Sequence, residues 1–269
     1  MNIDGSVAVV AGAASGLGRA TVTALLAGGS RVAVLDAVHP VDDEGGESLA
    51  DRVPFCRCDV TNSDDLTAGF DEIAAAFGRL DLCVNCAAIH IPGRLIPRDG
   101  GRLDLDGLRR SLEVNVVGLV DVMSRSAQLM LGNEPNDEGE RGVIINVGSI
   151  VAIEGPIGSI SYSASKGAVM AITLPVAREL GRFGVRVVHI APGTMQTPLL
   201  GGLDSSARTM LAESHAFPHR LGRPSEFSAL VCTAIETVFL DAATIRIDGG
   251  ARLGPYRPPR RDVTKEFMS

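Results

Sequence analysis

Ser6-Val7-Ala8-Val9-Val10-Ala11-Gly12-Ala13-Ala14-Ser15-Gly16-Leu17-Gly18 is the stretch on which the fold turns. Residues 6–11 form a short apolar run with the length of a buried strand. A glycine-punctuated turn follows, and helical spacing takes over from residue 16 to Gly28. Gly12, Gly16 and Gly18 give the pattern GxxxGxG, a spacing variant of the dinucleotide-binding turn between a strand and a helix. A residue without a Cβ lets the backbone approach a pyrophosphate, and the positive end of the helix attracts it. Gly12, Ser15, Gly16, Leu17 and Gly18 are therefore candidate cofactor contacts. A glycine-rich turn that binds nothing is the competing reading at this point.

Outward from the turn the same pattern repeats. Apolar runs at 31–36, 54–58, 80–84, 143–147, 185–190 and 244–247 alternate with helical stretches at 62–77, 106–131, 162–183 and 224–239. This alternation predicts an α/β fold: a doubly wound parallel sheet of the Rossmann type, with about seven strands and helices on both faces. The runs are continuously apolar, as strands buried on both faces must be. Asn62 or Ser63 is placed to cap the helix after the third strand, and Pro175 is expected to kink the helix of 162–183. Residues 38–48 read as a loop entering a short helix, 92–101 as a Gly/Pro/Arg-rich insertion and 199–223 as an irregular apolar segment. A single domain is expected over residues 1–254, followed by a Pro- and Arg-rich tail at 255–269.

Bulk composition narrows the function classes. The chain has 269 residues, 45% of them hydrophobic, no Trp and a formal net charge of −7. That is ample material for one aliphatic core, and an acidic chain without a basic stripe argues against nucleic acid as a partner. The first residues enter a strand pattern at once, and no apolar run approaches the roughly 18 residues of a membrane span. A cytoplasmic protein with no membrane partner is the expectation. Five cysteines, an odd number, suit a reducing compartment. Cys56-x-Cys58 and Cys83-x-x-Cys86 look like a metal or redox set by spacing alone. Positions i and i+3 of a strand face opposite ways, however, and the third and fourth strands of a doubly wound sheet are kept apart. No metal site is expected.

Three further features carry chemistry. Asp36 closes the second strand, where a carboxylate accepts hydrogen bonds from ribose hydroxyls and repels a 2′-phosphate, favouring NAD over NADP. Arg19 and Arg31 are the residues that would favour NADP. Asp59 and Val60 follow the third strand and are placed to meet an adenine, with a helix-capping Asp59 as the alternative. Tyr162 and Lys166 stand at i and i+4 of Tyr162-Ser163-Ala164-Ser165-Lys166, on one helix face. A nearby ammonium lowers the pKa of a phenol, and such a phenol exchanges a proton with a substrate hydroxyl near neutral pH. Ser149, thirteen residues upstream at the end of the fifth strand, offers a hydroxyl to the substrate oxygen.

Together these segments resemble the short-chain dehydrogenase/reductase family over nearly the whole chain. The resemblance rests on the glycine turn, Asp59-Val60, Asn85-Cys86-Ala87-Ala88, Asn115, Ser149, Tyr162-x-x-x-Lys166 and Pro192-Gly193-Thr194-Met195-Gln196-Thr197-Pro198. It implies that Tyr162 is the acid/base, that Lys166 lowers its pKa and binds the nicotinamide ribose, and that Ser149 orients the carbonyl. Asn115 would hold a water linking Lys166 to solvent. Thr197 and the backbone around Pro192, Gly193 and Thr194 would hold the carboxamide, and Asn85 through Ala88, Ala87 among them, would line the cofactor cleft. Three positions depart from the family pattern: Ala11 for Thr, Ala88 for Gly, and Gly148 for Ser. Strings such as Asn133-Glu134-Pro135, Thr173-Leu174-Pro175, Thr197-Pro198-Leu199-Leu200, Phe217-Pro218 and Arg220-Leu221-Gly222 are similar to one subfamily, the type-2 3-hydroxyacyl-CoA dehydrogenases, also called type-10 17β-hydroxysteroid dehydrogenases. That similarity implies NAD-dependent oxidation of 3-hydroxyacyl-CoA or hydroxysteroids by a homotetramer, assembled through the helices near 106–131 and 162–183.

The substrate is less sharply drawn. Leu199, Leu200, Leu203 and Phe217, with Met210 and Leu211, belong to a segment that would cover an apolar acyl chain or steroid; core packing is the alternative for some of them. Arg94, Arg98 and Arg102 can be read as contacts for the phosphates of CoA or as a solvated basic loop, and the loop is the stronger reading. Two rivals stand beside the dehydrogenase: a 3-ketoacyl reductase using NADPH, and a non-catalytic cofactor-binding scaffold.

Overall fold

The computed structural model describes residues 1–40, 49–201 and 204–253. The expected tail at 255–269, the greater part of the 38–48 loop and Leu203 lie outside the described residues. Among the described residues, β1 (Val7–Ala11), β2 (Arg31–Asp36), β3 (Phe55–Arg57), β4 (Leu82–Asn85), β5 (Gly142–Val147), β6 (Val185–Pro192) and β7 (Thr244–Ile247) form one sheet ordered β3-β2-β1-β4-β5-β6-β7. Every neighbouring pair is parallel. The helices are α1 (Gly16–Ala27), α2 (Leu49–Arg52), α3 (Ser63–Phe77), α4 (Leu105–Leu112), α5 (Leu119–Met130), α6 (Val151–Glu154), α7 (Ile160–Gly181), α8 (Ser205–Glu213) and α9 (Pro224–Glu236).

The strand pleat sorts the core into two layers. Val7, Val9 and Ala11 point into a cluster with Leu66, Phe70 and Ile73 of α3, Val122 and Met130 of α5, and Val169 of α7. Ala8 and Val10 point the other way, against Val22 and Leu25 of α1 and Phe227, Val231 and Ile235 of α9. Both faces of the sheet are thus covered, which is why the strands carry no polar alternation. The same pleat separates the cysteines: Cys83 lies in the first cluster and Cys86 packs against the second, and β2 and β1 stand between β3 and β4.

Local signals read correctly in most places. Asn62 caps α3, its side chain accepting from the N–H groups of Asp64 and Asp65, and Gly78 ends that helix at φ 70°. Two expectations need correction, and one alternative falls. The helix expected over 106–131 is broken by a π-helical turn, Glu113–Gly118. Inside it Asn115 is fully buried and hydrogen-bonded, and Gly118 packs so tightly on Val60 that a Cβ there would lie 2.7 Å from the Val60 side chain. The 199–223 segment is not irregular throughout. It holds a 3-10 turn, Pro198–Leu200, and α8, whose N-cap Asp204 accepts from Ala207 N–H at 2.7 Å. Asp59 does not cap α3; its Oδ1 accepts from the N–H and hydroxyl of Thr61. Helix α7 is continuous through Pro175.

Candidate active site

The sheet order reverses beside β1: the chain leaves toward β2 on one side and later toward β4 on the other. In such sheets a crevice opens outside the carboxyl ends of the strands at this switch point. The glycine turn ends β1, Asp36 ends β2 and Asn85 ends β4, so all three meet this edge.

The three glycines serve different needs. A Cβ on Gly12, at φ 78°, would lie 2.3 Å from Ala87 N, and one on Gly18 would lie 2.1 Å from Gly12 O. These two are glycine because backbone packs on backbone. Gly16, at φ 58°, has Thr197 Cβ as its nearest neighbour, 3.4 Å from a built Cβ. It faces the 194–198 segment across a gap. Among the described residues Ser15, the exposed N-cap of α1, makes no side-chain cap bond, so the first-turn N–H groups have no capping side chain. Leu17 is half-buried behind them. This cradle fits a pyrophosphate.

Asp36 is half-buried, with Oδ2 accepting from Ala14 N–H at 2.8 Å and Oδ1 from Val38 N–H at 3.0 Å. Its negative charge is thereby pinned beside the glycine turn. Arg31 stands at the opposite end of β2, stacked over Phe77 at 5.3 Å, about 17 Å of strand away. It cannot serve a phosphate at Asp36. Asp59 keeps its carboxyl below the usual range, through the Thr61 backbone bond first and Arg110 last. Buried Val60 lies under Gly118.

Asn85 is buried at the end of β4 and donates to Asn146 Oδ1 at 2.8 Å across the β4–β5 register. Asn146 Nδ2 reaches Met123 Sδ at 3.4 Å. The sequence signal for Asn146 is an amide inside an otherwise apolar strand, which needs a partner because burying one unpaired is costly. Asn115 is committed as well: its Oδ1 accepts from Ile89 N–H at 2.8 Å, and its Nδ2 donates to Ile89 O at 2.9 Å and Ser165 Oγ at 3.0 Å. A water link from Asn115 to Lys166 therefore has to use its main chain.

Ser149 follows β5, buried, in a turn tied to β6 by Gly148 N–H to Ile190 O at 2.8 Å and Ile150 N–H to Pro192 O at 3.0 Å. Its hydroxyl lies close enough to the Tyr162 phenol to pull that phenol's pKa down. Lys166, one turn along α7, is buried; Nζ donates to Val147 O at 2.7 Å and lies 5.8 Å from the Tyr162 ring centroid. The structure thus brings Ser149, Tyr162 and Lys166 together, as their spacing predicts. Burial pushes Tyr162 up to about 12 and outweighs Ser149. The Lys166 ammonium is turned to the Val147 carbonyl and to the ring.

Burial also pushes Lys166 down to about 8. A lysine whose folded pKa lies below its unfolded value binds fewer protons when folded, so stability rises with pH between the two values. Relative to Lys166→Met, wild type should show a flat stability difference below pH about 8, then gain up to about 3 kcal/mol toward 10.5. Urea titrations of both proteins on either side of pH about 8 check this; a difference that shrinks with rising pH contradicts it.

Comparison with known proteins agrees with this geometry. Residues 6–207 match the short chain dehydrogenase family model. The chain belongs to the short-chain dehydrogenase family. It is similar to the 3-hydroxyacyl-CoA dehydrogenase type-2 of Drosophila melanogaster, 42% identical over 94% of this chain and 100% of that one. It is also similar to the Homo sapiens protein of that name, 40% identical over 94% and 98%, and to the L-fucose dehydrogenase of Oryctolagus cuniculus, 35% identical over 93% and 86%. The crystal structure of 3-hydroxyacyl-CoA dehydrogenase type-2 from Mycobacterium avium superposes with a TM-score of 0.86 at 34% identity, covering 94% and 98% of the two chains. The protein is an oxidoreductase.

In this short-chain dehydrogenase the segment after β6 is pinned by backbone bonds from Gly222 N–H to Thr194 O at 3.0 Å and Gln196 N–H to Gly222 O at 2.8 Å. Buried Pro192 and half-buried Gly193 precede it, and Gly193 packs so closely on Asp248 that a Cβ would sit 2.8 Å from Asp248 Cα. Thr194 and Thr197 are half-buried at this edge. Core packing is not the role of the next residues: Leu199 is 52%, Met210 71% and Phe217 79% exposed, and Leu200 is half-buried. Leu95, Ile96 and Ile157 are also exposed, on two segments joined by the Gly93–Ser159 bridge. Arg94 packs by its stem near Gly158, while Arg98 and Arg102 are exposed. No helix of the described residues is long and apolar enough to cross a membrane.

Proposed function

We propose that this dehydrogenase uses NAD to interconvert a secondary alcohol and a ketone, on a 3-hydroxyacyl-CoA or a hydroxysteroid, with Tyr162 as acid/base. The observation that carries the reading is the meeting of buried Ser149 and Lys166 with half-buried Tyr162 beside an intact phosphate cradle. In this reading the α1 N-terminus and Gly16 hold the pyrophosphate, Asp36 the ribose hydroxyls, Asp59 and Val60 the adenine, and Thr194 and Thr197 the carboxamide. Lys166 and Asn115 sit behind the phenol, and Asn85, Ala87, Pro192 and Gly193 shape the cleft wall. A bound nicotinamide supplies the hydride-exchanging carbon and, when oxidised, a positive charge. Ser149 and Tyr162 hold the substrate oxygen, and Tyr162 takes the alcohol proton in oxidation and returns it in reduction. The phenol lies near 12 from burial, so it depends on the positive charge of Lys166 and of the cofactor to ionise.

The relatives named for 3-hydroxyacyl-CoA and the exposed apolar Leu199, Met210 and Phe217 support an acyl or steroid substrate. A panel of hydroxyacyl-CoAs and hydroxysteroids with NAD and NADP tests the reading. Turnover of neither class, or a preference for NADP, counts against it. Asp36→Asn is expected to lower the NAD-over-NADP ratio of kcat/KM about ten- to hundredfold, since bonds to a charged acceptor are lost with the repulsion. An unchanged ratio would place cofactor choice elsewhere.

Exposed Val117, Val120, Leu131 and Leu174 on the 106–131 and 162–183 stretches support a homotetramer packed through these helices, and light scattering tests it. Five free thiols support a reducing compartment such as the cytoplasm.

A further inference from the structure

His90 is not used by the chemistry above, yet it touches the central residue. Its ring meets the Tyr162 ring edge-on, with centroids 5.0 Å apart and planes at 82°. The backbone just before it is clamped, because Asn115 binds both the N–H and the carbonyl of Ile89. The imidazole is thus held against the phenol by rigid structure. It is also exposed, and neither ring nitrogen has a hydrogen bond among the described residues. Burial of part of the ring holds its pKa below the ordinary histidine value. At neutral pH it is therefore uncharged, with one nitrogen donating and the other accepting.

We propose that His90 is a specificity-determining residue: its ring N–H binds the acyl carbonyl two carbons from the reacting carbinol of a 3-hydroxyacyl thioester. The inference rests on the proposed function and deepens it. Tyr162 and Ser149 take one substrate oxygen, and a donor beside the Tyr162 ring is suited to the second oxygen of a 1,3-oxygenated chain. Leu95 and Ile96 on the segment after His90, and Ile157 on the segment bridged to it at Gly93–Ser159, are exposed and apolar and offer an oxygen no partner. A hydroxysteroid without an oxygen two carbons from its carbinol gains nothing from His90.

The test compares kcat and KM of wild type, His90→Phe and His90→Gln on a 3-hydroxyacyl-CoA and on a hydroxysteroid, with NAD. His90→Phe keeps an aromatic ring against Tyr162 and removes the donor. It should lower kcat/KM on the thioester about tenfold, mainly through KM, as one hydrogen bond predicts, and change the steroid rate less than about twofold. His90→Gln should restore part of the thioester activity and none of the ring packing. Steroid inactivity in wild type, with the thioester loss and its rescue by Gln, also supports the assignment. An equal loss on both substrates makes His90 a packing support for Tyr162 and overturns it, as does no loss on the thioester. If wild type turns over the steroid but no thioester, the acyl-CoA reading falls and this assignment with it. If it turns over neither, the proposed function itself fails.

Discussion

Tyr162→Phe should lower kcat by about a thousandfold or more while leaving NADH binding nearly intact. General acid–base catalysis contributes on the order of 10²–10⁴, and the variant removes the phenol oxygen that carries the proton. Ser149 is held in its turn with Oγ accepting from Val151 N–H at 3.3 Å, Lys166 is bound to Val147 O, and His90 meets the phenol ring edge-on. The ring itself has reasons to stay in place: it packs edge-on with His90 and under the Lys166 ammonium. The variant removes one oxygen and also relieves a buried hydroxyl whose ionisation burial opposes. Steady-state rates, with NADH fluorescence titration as the control, separate chemistry from binding. Turnover within about tenfold of wild type would sink the proton-transfer role, and equal loss of NADH affinity would recast Tyr162 as a cofactor ligand.

Gly148→Ala should be among the most destabilising single changes in the chain. A Cβ at this position would lie 1.9 Å from His189 Nε2. His189 cannot easily yield, since it is fully buried on β6, with Nδ1 against Thr244 Oγ1 at 3.2 Å. Its Nε2 is the one buried side-chain polar atom among the described residues without a hydrogen-bond partner. Burial and the nearby Lys166 charge push it down to about 4, so it sits there as a neutral ring. Overpacking a closed core costs about 3 kcal/mol, roughly 6–12 °C in melting temperature for a chain of this size. The damage also reaches the site, because Gly148 and Ser149 are adjacent and Gly148 N–H anchors the turn to β6. A His189→Ser background should absorb much of the loss: the double variant is expected to be more stable than the two single effects added, by about 1–2 kcal/mol. Strict additivity would show that the imidazole is not what excludes a side chain at 148.

That pair shows where sequence reading stops. Gly148 stood out only as a departure from a family pattern, and its cause lies 41 residues away, in a histidine on the neighbouring strand. Nothing in the spacing along the chain links the two positions. His189 and Asn146 did carry a local signal, as polar residues inside apolar strands, but not the identity of their partners. The same holds for Asn115: its place in the motif was legible, while the π-helical turn and the clamp on Ile89 depend on a loop reached only through folding.

What the sequence determined by itself was periodic or local. Apolar runs separated by helical spacing set the layered α/β architecture, because a strand buried on both faces has to be apolar throughout. The packing of Gly18 on Gly12 O and the i, i+4 placement of Tyr162 and Lys166 depend only on neighbours along the chain. Tertiary structure alone decided which way the charges point. Asp36 is fastened to the glycine turn, Arg31 is carried to the far end of β2, and Lys166 is turned to a carbonyl while burial raises Tyr162. Charge effects act through space and through desolvation, and neither distance nor burial is written in the order of the residues.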